Sequence, residues 1–156
     1  MKSIRSIAAL SGAILLLGSG FQSPASAAEI TLKLGTVSNQ KTSMGKALAN
    51  VLIPKIKEYS GGRMEIQAHW MGSICGEQKC GEQAMQGLID IATSSTANFG
   101  NFSTTYAITD LPFIFKDLAS ANELAAGWFG KALHANALKD TPFRVYGVFS
   151  VGGFRA

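Results

Sequence analysis

Side chains suited to catalysis are scarce in this sequence. Its 156 residues include two cysteines and two histidines. Cys75 and Cys80 with His69 give too few well-spaced ligands for a metal site. His69 is read at the end of a strand and His134 in the last turn of a helix, where a cation is mildly favoured. Both read as surface or edge histidines. There is no G-x-S-x-G, no H-E-x-x-H and no P-loop, which removes three large enzyme classes: nucleophile-elbow hydrolases, zinc proteases and P-loop nucleotide hydrolases. Paired carboxylates for acid–base work are missing too, and Glu77 and Glu82, which flank the cysteine pair, read as solvated. The expectation is a protein that is not an enzyme and holds neither metal nor cofactor. Lysines and arginines are scattered, whereas a nucleic-acid partner requires a clustered basic footprint. After the N-terminal segment no stretch is apolar over the roughly 20 residues that a membrane span needs. No internal repeat is found.

What the chain does contain begins with a targeting pattern. Lys2 and Arg5 make a positive start, residues 7–17 are uncharged and apolar, and Gly18, Ser19 and Gly20 break the helical tendency. Pro24 and the small residues 25–28 follow, placing small side chains at −3 and −1 for cleavage after Ala27 or Ala28. The apolar run is too short to anchor the chain in a bilayer. Residues 1–28 are therefore expected to be a cleaved secretory signal. Taking Lys2 and Arg5 from the 14 basic residues leaves 12 against 10 acidic ones, a net charge of +2. With 47% hydrophobic residues overall, residues 29–156 are expected to pack as a globular unit rather than as a disordered tail. They are read as soluble and exported.

Periodicity then assigns elements. Residues 30–34 alternate and predict a strand. Residues 35–42 form a polar loop, and Thr42 or Ser43 can cap the helix that follows. Met44, Ala47, Leu48, Val51, Leu52, Ile56 and Tyr59 keep helical spacing. Pro54 should kink or end that helix, and Gly61 and Gly62 stop it. Residues 63–70 predict a second strand, 76–87 a second helix and 89–93 a short buried strand. Residues 94–105 read as a loop. Ser120 and Glu123 form a capping box that opens a third helix, with Ala121, Leu124, Ala125, Trp128, Phe129 and Ala132 on its apolar face. Residues 143–149 predict a fourth strand. Alternation of strand and helix implies an α/β fold with a mainly parallel sheet covered by helices.

Ligands of such sheets bind beyond the carboxyl ends of the strands. Those ends are residues 35–41, 70–76, 94–101 and 150–155, three of them rich in Ser, Asn, Gln or Gly. Arg155 follows two glycines there, and a guanidinium fork can hold a carboxylate with two parallel bonds. Cys75 and Cys80 can pair in an exported protein. On one regular helix their Cα atoms would lie about 8.6 Å apart, beyond the roughly 7 Å limit for a bridge, so a bridge requires Cys75 to precede the helix. Free thiols, or a redox or metal role, are the alternatives, although redox pairs are usually spaced C-x-x-C.

Several segments together resemble the DctP-type solute-binding proteins of TRAP (tripartite ATP-independent periplasmic) transporters. They are residues 32–35 (LKLG), 59–66 (YSGGRMEI), 82–92 (EQAMQGLIDIA), 111–115 (LPFIF) and 153–155 (GFR), in family order behind a signal. The resemblance implies a two-lobed, periplasmic-binding-protein-like binder that closes on a small organic acid. It then hands that ligand to membrane permease subunits. A typical member is considerably longer, so residues 29–156 are expected to be the N-terminal lobe with the second lobe missing. By resemblance, Arg155 matches the first of two site arginines. Ser95 and Asn98 match pocket positions, as do residues 37–40 with Asn39 and Gln40. Phe113 matches a packing position. The family's common Leu-Gly is replaced by Ile74, Cys75 and Gly76, and Pro54 is unusual, which points to a subgroup and leaves the ligand open.

The function expected from this resemblance is periplasmic capture of a small carboxylate for a TRAP transporter. Two other readings stand beside it. One is an exported thiol–disulfide protein using Cys75 and Cys80. The other is a truncated chain without function of its own, whose open sheet edge favours aggregation.

Overall fold

The computed structural model describes residues 28–148 and 150. The signal expected over residues 1–28 lies outside them except for Ala28, and so does Arg155.

Alternation does build the sheet. β1 (Ile30–Gly35) and β2 (Met64–His69) run parallel, with Ile30 opposite Met64 and Gly35 opposite His69. β3 (Ile91–Ala92) pairs in parallel with the other edge of β1 through Leu34 and Gly35. The strand order is β2-β1-β3. One face carries Leu32, Leu34, Met64, Ile66 and Ala68, all buried or half-buried, and the other carries exposed Thr31, Lys33, Glu65 and Gln67. That split is the period-two signature of a strand pair with one packed face. The chain steps from β1 out to β2 and then back across to β3, so right-handed crossovers put the two helical connections on opposite faces. In keeping with this, Gly35, on the Lys33 face, is overlain by Cys75, Cys80 and Ile89.

β3 is shorter than the predicted strand because its ladder ends in a side chain. The Asp90 N–H donates to the Lys33 carbonyl at 3.0 Å, and the Asp90 carboxylate accepts from the Lys33 N–H at 2.8 Å.

The first connection starts at Thr42, whose Oγ1 accepts from the Gly45 N–H at 3.0 Å. α1 (Ser43–Ala47) passes through a π turn (Leu48–Leu52) into α2 (Ile53–Tyr59). The helix thus survives Pro54. A proline ring presses on the carbonyl four residues back and supplies no N–H. Here the wide π turn precedes it, and Pro54 falls in the first turn of α2, where no donor is needed. The turn also shifts the apolar stripe. Leu48, Leu52, Ile53 and Ile56 are covered, whereas Val51 and Tyr59, expected on the same stripe, are exposed. Gly61 and Gly62 then end the helix with φ of 62° and 82°. The second connection is α3 (Glu77–Met85).

The rest is helical and departs further from expectation. Within the predicted loop lies α4 (Thr96–Phe99), and a 3-10 turn (Thr104–Asp110) starts at its end. Ser95 caps α4, and Phe99 stacks edge-on against Tyr106 at 4.8 Å. α5 (Leu118–Ala126) begins two residues before the expected capping box. Its cap is Asp117, whose carboxylate accepts from the Ser120 N–H at 2.8 Å. The single helix expected beyond it is split at Gly127, where ψ is −148°, and α6 (Trp128–Asp140) follows. Gly130 packs so tightly on the Ala125 carbonyl that any Cβ there would overlap it.

His134 lies mid-helix rather than in a last turn, because α6 runs on to Asp140. It is half-buried, and its Nδ1 meets the Tyr106 hydroxyl at 2.7 Å. Burial pushes the Tyr106 hydroxyl up to about 12 and lowers His134 below its ordinary value.

The predicted fourth strand does not form among the described residues. Residues 143–148 have no regular secondary structure. β3 offers only two residues of edge, and Val145 and Val148 pack instead on the cluster of Tyr106, Leu133 and Ala137.

Candidate functional site at the strand ends

The carboxyl ends of the three strands meet at Thr36, which is fully buried. Its N–H donates to the His69 carbonyl at 3.0 Å, and its own carbonyl accepts from the Gly72 N–H at 2.9 Å. Its Oγ1 accepts from the Ser38 N–H at 3.1 Å and from the Thr93 hydroxyl at 2.7 Å. One threonine therefore ties together the loops that leave β1, β2 and β3.

The loop after β1 carries Asn39 and Gln40. Asn39 shapes the loop: its Oδ1 accepts from the Lys41 N–H at 2.8 Å, and its carbonyl accepts from the Thr42 N–H at 3.0 Å and the Thr42 hydroxyl at 2.7 Å. This is an Asx turn that leads into the cap of α1. Gly45 packs beneath the Asn39 carbonyl with no room for a Cβ. Gln40 is exposed, and its amide has no partner among the described residues.

The loop after β3 carries Ser95 and Asn98, and the structure brings them onto one acceptor. Ser95 Oγ donates to Glu77 Oε2 at 3.2 Å and accepts from the Asn98 N–H at 3.3 Å. Asn98 Nδ2 donates to the same Glu77 oxygen. No hydrogen bond joins this group to Asn39 or Gln40 among the described residues, so the two loops share a corner only through Thr36 and Thr93. Glu77 had read as solvated. Its partners lie 18 and 21 positions along the chain, a separation that local sequence cannot reveal. Glu82 pairs with Lys79 at 2.7 Å on the exposed side of the same helix.

Cys75 and Cys80 are bridged, with Cα atoms 5.1 Å apart. Cys75 precedes the Gly76 cap and Cys80 lies one turn inside α3. Both sulfurs are buried with Ile89, Ala84 and Ala92, directly over Gly35. The bridge thus pins the first turn of α3, and Glu77 with it, against β1. Phe113, expected to pack, is instead fully exposed at 101%, on a left-handed backbone (φ 61°) after Pro112.

Among the described residues no cluster of three or more His, Cys, Asp or Glu is placed to hold a metal ion. No described helix is long and apolar enough to cross a membrane.

This polar corner at the ends of a parallel sheet lies inside a longer match. Residues 34–155 fit the family model for bacterial extracellular solute-binding protein, family 7 (DctP). The chain belongs to this family. Within the family, the C4-dicarboxylate-binding periplasmic protein DctP of Vibrio cholerae is 26% identical over 105 residues, which is 67% of this chain and 32% of that protein. A TRAP periplasmic solute-binding protein of Roseobacter denitrificans, solved with bound L-galactonate, superposes with a TM-score of 0.66 at 22% identity. The match covers 74% of this chain and 38% of that one. A TRAP solute-binding protein of Desulfovibrio salexigens, solved with bound orotic acid, gives a TM-score of 0.65 at 25% identity, over 70% of this chain and 35% of the other. The family-7 chain described here therefore spans about a third of the length of the curated relatives it matches.

Proposed function

We propose that this family-7 chain is the N-terminal lobe of a two-lobed periplasmic binder that captures a small organic acid for a TRAP-type transporter. The observation that carries the reading is the family match over residues 34–155, which spans all three strand ends and the polar loops beyond them. Residues 1–28 act as the cleaved export signal, and residues 29–156 reach the periplasm. Ser95, Asn98, Asn39 and Gln40 line the ligand corner. Arg155 supplies a guanidinium fork for the ligand carboxylate. A facing lobe closes over that pair and removes water, which strengthens it. Binding draws an open–closed equilibrium toward the closed form, and the closed form is what membrane permease subunits receive. No turnover is involved. The relatives named above are described with C4-dicarboxylate, galactonate or orotic acid, each of which carries a carboxylate. The thiol–disulfide reading is less well supported, because exchange requires an accessible sulfur and both sulfurs here are buried.

The test is a thermal-shift panel of succinate, orotate, L-galactonate and D-gluconate on the protein isolated from its host periplasm. At least one acid should raise the melting temperature, and Arg155→Ala should remove that shift. A panel without any shift overturns the binding reading. A shift that survives Arg155→Ala overturns the role given to that arginine.

A further inference from the structure

The outer side of the first connection carries chemistry that neither the sheet nor the ligand corner uses. Turned inward, α1, the π turn and α2 cover Leu48, Leu52, Ile53 and Ile56, which is the one apolar stripe a helix on a sheet requires. Away from the sheet stand Lys46, Val51, Pro54, Lys55, Lys57 and Tyr59, all exposed, with Val51 at 57% and Tyr59 at 79%. An apolar and aromatic strip edged by lysines is the pattern of helices that lie on a membrane surface, the ring at headgroup level and the ammonium groups among phosphates. Lys55 joins the two kinds of side chain: its Nζ lies 5.2 Å from the centre of the Tyr59 ring and 2.9 Å from the Glu58 carboxylate.

Charge is segregated along the chain in the same sense. Residues 41–63 hold five basic side chains and one acidic, a net +4, whereas residues 64–148 hold five basic against eight acidic, a net −3. Apart from Lys55, none of the first five is ion-paired among the described residues. A negative surface attracts one side of such a molecule and repels the other, so the basic side arrives first. Four of the five are lysines, flexible point charges suited to a fluid array of headgroups. An ordered acidic protein surface is better met by the planar arginine fork.

We propose that the outer face of α1 and α2 docks the exported protein on the anionic phospholipid headgroups of a membrane bordering the periplasm. Docking keeps the binder close to a bilayer and leaves the strand-end corner to its ligand. The proposal rests on the export described under the proposed function and on none of the ligand assignments, so vesicle binding and the thermal panel can fail independently.

Cosedimentation with vesicles decides it. The protein from its host periplasm, and variants made in the same host, are spun with vesicles of phosphatidylglycerol mixed with phosphatidylcholine, or of phosphatidylcholine alone. Binding to the mixed vesicles should be at least about tenfold tighter at about 50 mM salt and should fall at least about tenfold at about 500 mM. The triple variant Lys46→Gln, Lys55→Gln and Lys57→Gln should bind about tenfold or more weakly. Lys116→Gln, Lys131→Gln and Lys139→Gln remove the same charge from exposed positions outside this face and should change binding by less than about twofold. Tyr59→Ala should weaken it by about threefold. Absence of any preference for the anionic vesicles overturns the proposal, and so do equal losses in the two triple variants, which would mean that only net charge counts. Binding of soluble polyglutamate without binding of vesicles overturns it in favour of an acidic protein partner. Undiminished binding in Tyr59→Ala overturns the seating of the ring among headgroups. If the first triple variant shows no cooperative melting, Lys46→Gln with Lys57→Gln, which leaves the Lys55–Glu58 pair intact, is read instead. Unchanged binding there overturns the proposal.

Discussion

Between residues 30 and 93, position is set by the main chain. Six residue pairs lock β1 to β2 in one register, and Thr36 continues that order past the strand ends through four hydrogen bonds. Between residues 94 and 148 no strand forms among the described residues, and position is set by side chains. Phe99 contacts Phe102, Tyr106 and Phe143, and Tyr106 reaches His134. A ladder fixes each residue against a particular partner. A ring cluster fixes only who is near whom, and it leaves Trp128 at 72% and Tyr146 at 91% exposure around its margin. The first kind of order has a period that can be read along the chain, and the second has none.

The largest expected effect tests whether the two regions are separable. Tyr106→Ala removes the ring at the centre of the helical region and should cost about 4 kcal/mol in urea unfolding. Amide exchange in β1 should stay slow in that variant. Equal loss of protection across Ile30–Gly35 would show one cooperative unit and erase the distinction. A smaller effect belongs to the sheet region. Replacing both cysteines by alanine opens a six-residue loop and should cost about 2 kcal/mol by the chain-entropy account. That loss should appear in exchange at α3 and β3, and not at α6. A loss spread evenly over both regions would contradict the local pinning described for Glu77.

The smallest effects come from the two caps, one in each region, and they should part company in acid. Thr42→Ala should cost about 1 kcal/mol at neutral and acid pH alike, since a hydroxyl does not titrate there. Asp117 behaves otherwise. Hydrogen bonds from Ser120 hold its carboxyl below the ordinary value. Its folded form therefore stays charged to lower pH than its unfolded form. The stability it adds is complete above the usual carboxylate range and is lost as pH falls through the lowered folded value. The difference between the protein and Asp117→Ala should accordingly vanish in acid. A difference that persists there would mean the cap acts without its charge.

The same contrast explains what the sequence disclosed. Residues 30–34 and 63–70 alternate, and the strands are there. Gly61 and Gly62 mark a stop, and the stop is there. Thr42 was one of two named caps and is the one used. Residues 143–149 also read as a strand, yet Val145 and Val148, three apart, pack together on the cluster of Tyr106, Leu133 and Ala137, because an apolar run does not name its partner. Asp117 and Ser120 stand three apart just as Ser120 and Glu123 do, and only the fold chooses between the two pairs. Gly127 looks tolerable inside a helix until α5 and α6 must pack on each other at Gly130. In the candidate site, Ser95 and Asn98 were legible as polar residues beyond a strand. Glu77 was not, since nothing near it in the chain signals which loop will lie across from it.

Asp90 gives the sheet a boundary of an unusual sort. A strand passes hydrogen bonding onward, because successive residues face opposite edges, so a strand paired on one side still presents donors and acceptors on the other. A carboxylate receives and offers nothing further. By answering the Lys33 amide with a side chain, the protein closes that edge of β1 to any foreign strand at the point where β3 runs out. A single acidic residue thus finishes this side of the ladder with a side chain where another strand would otherwise be needed.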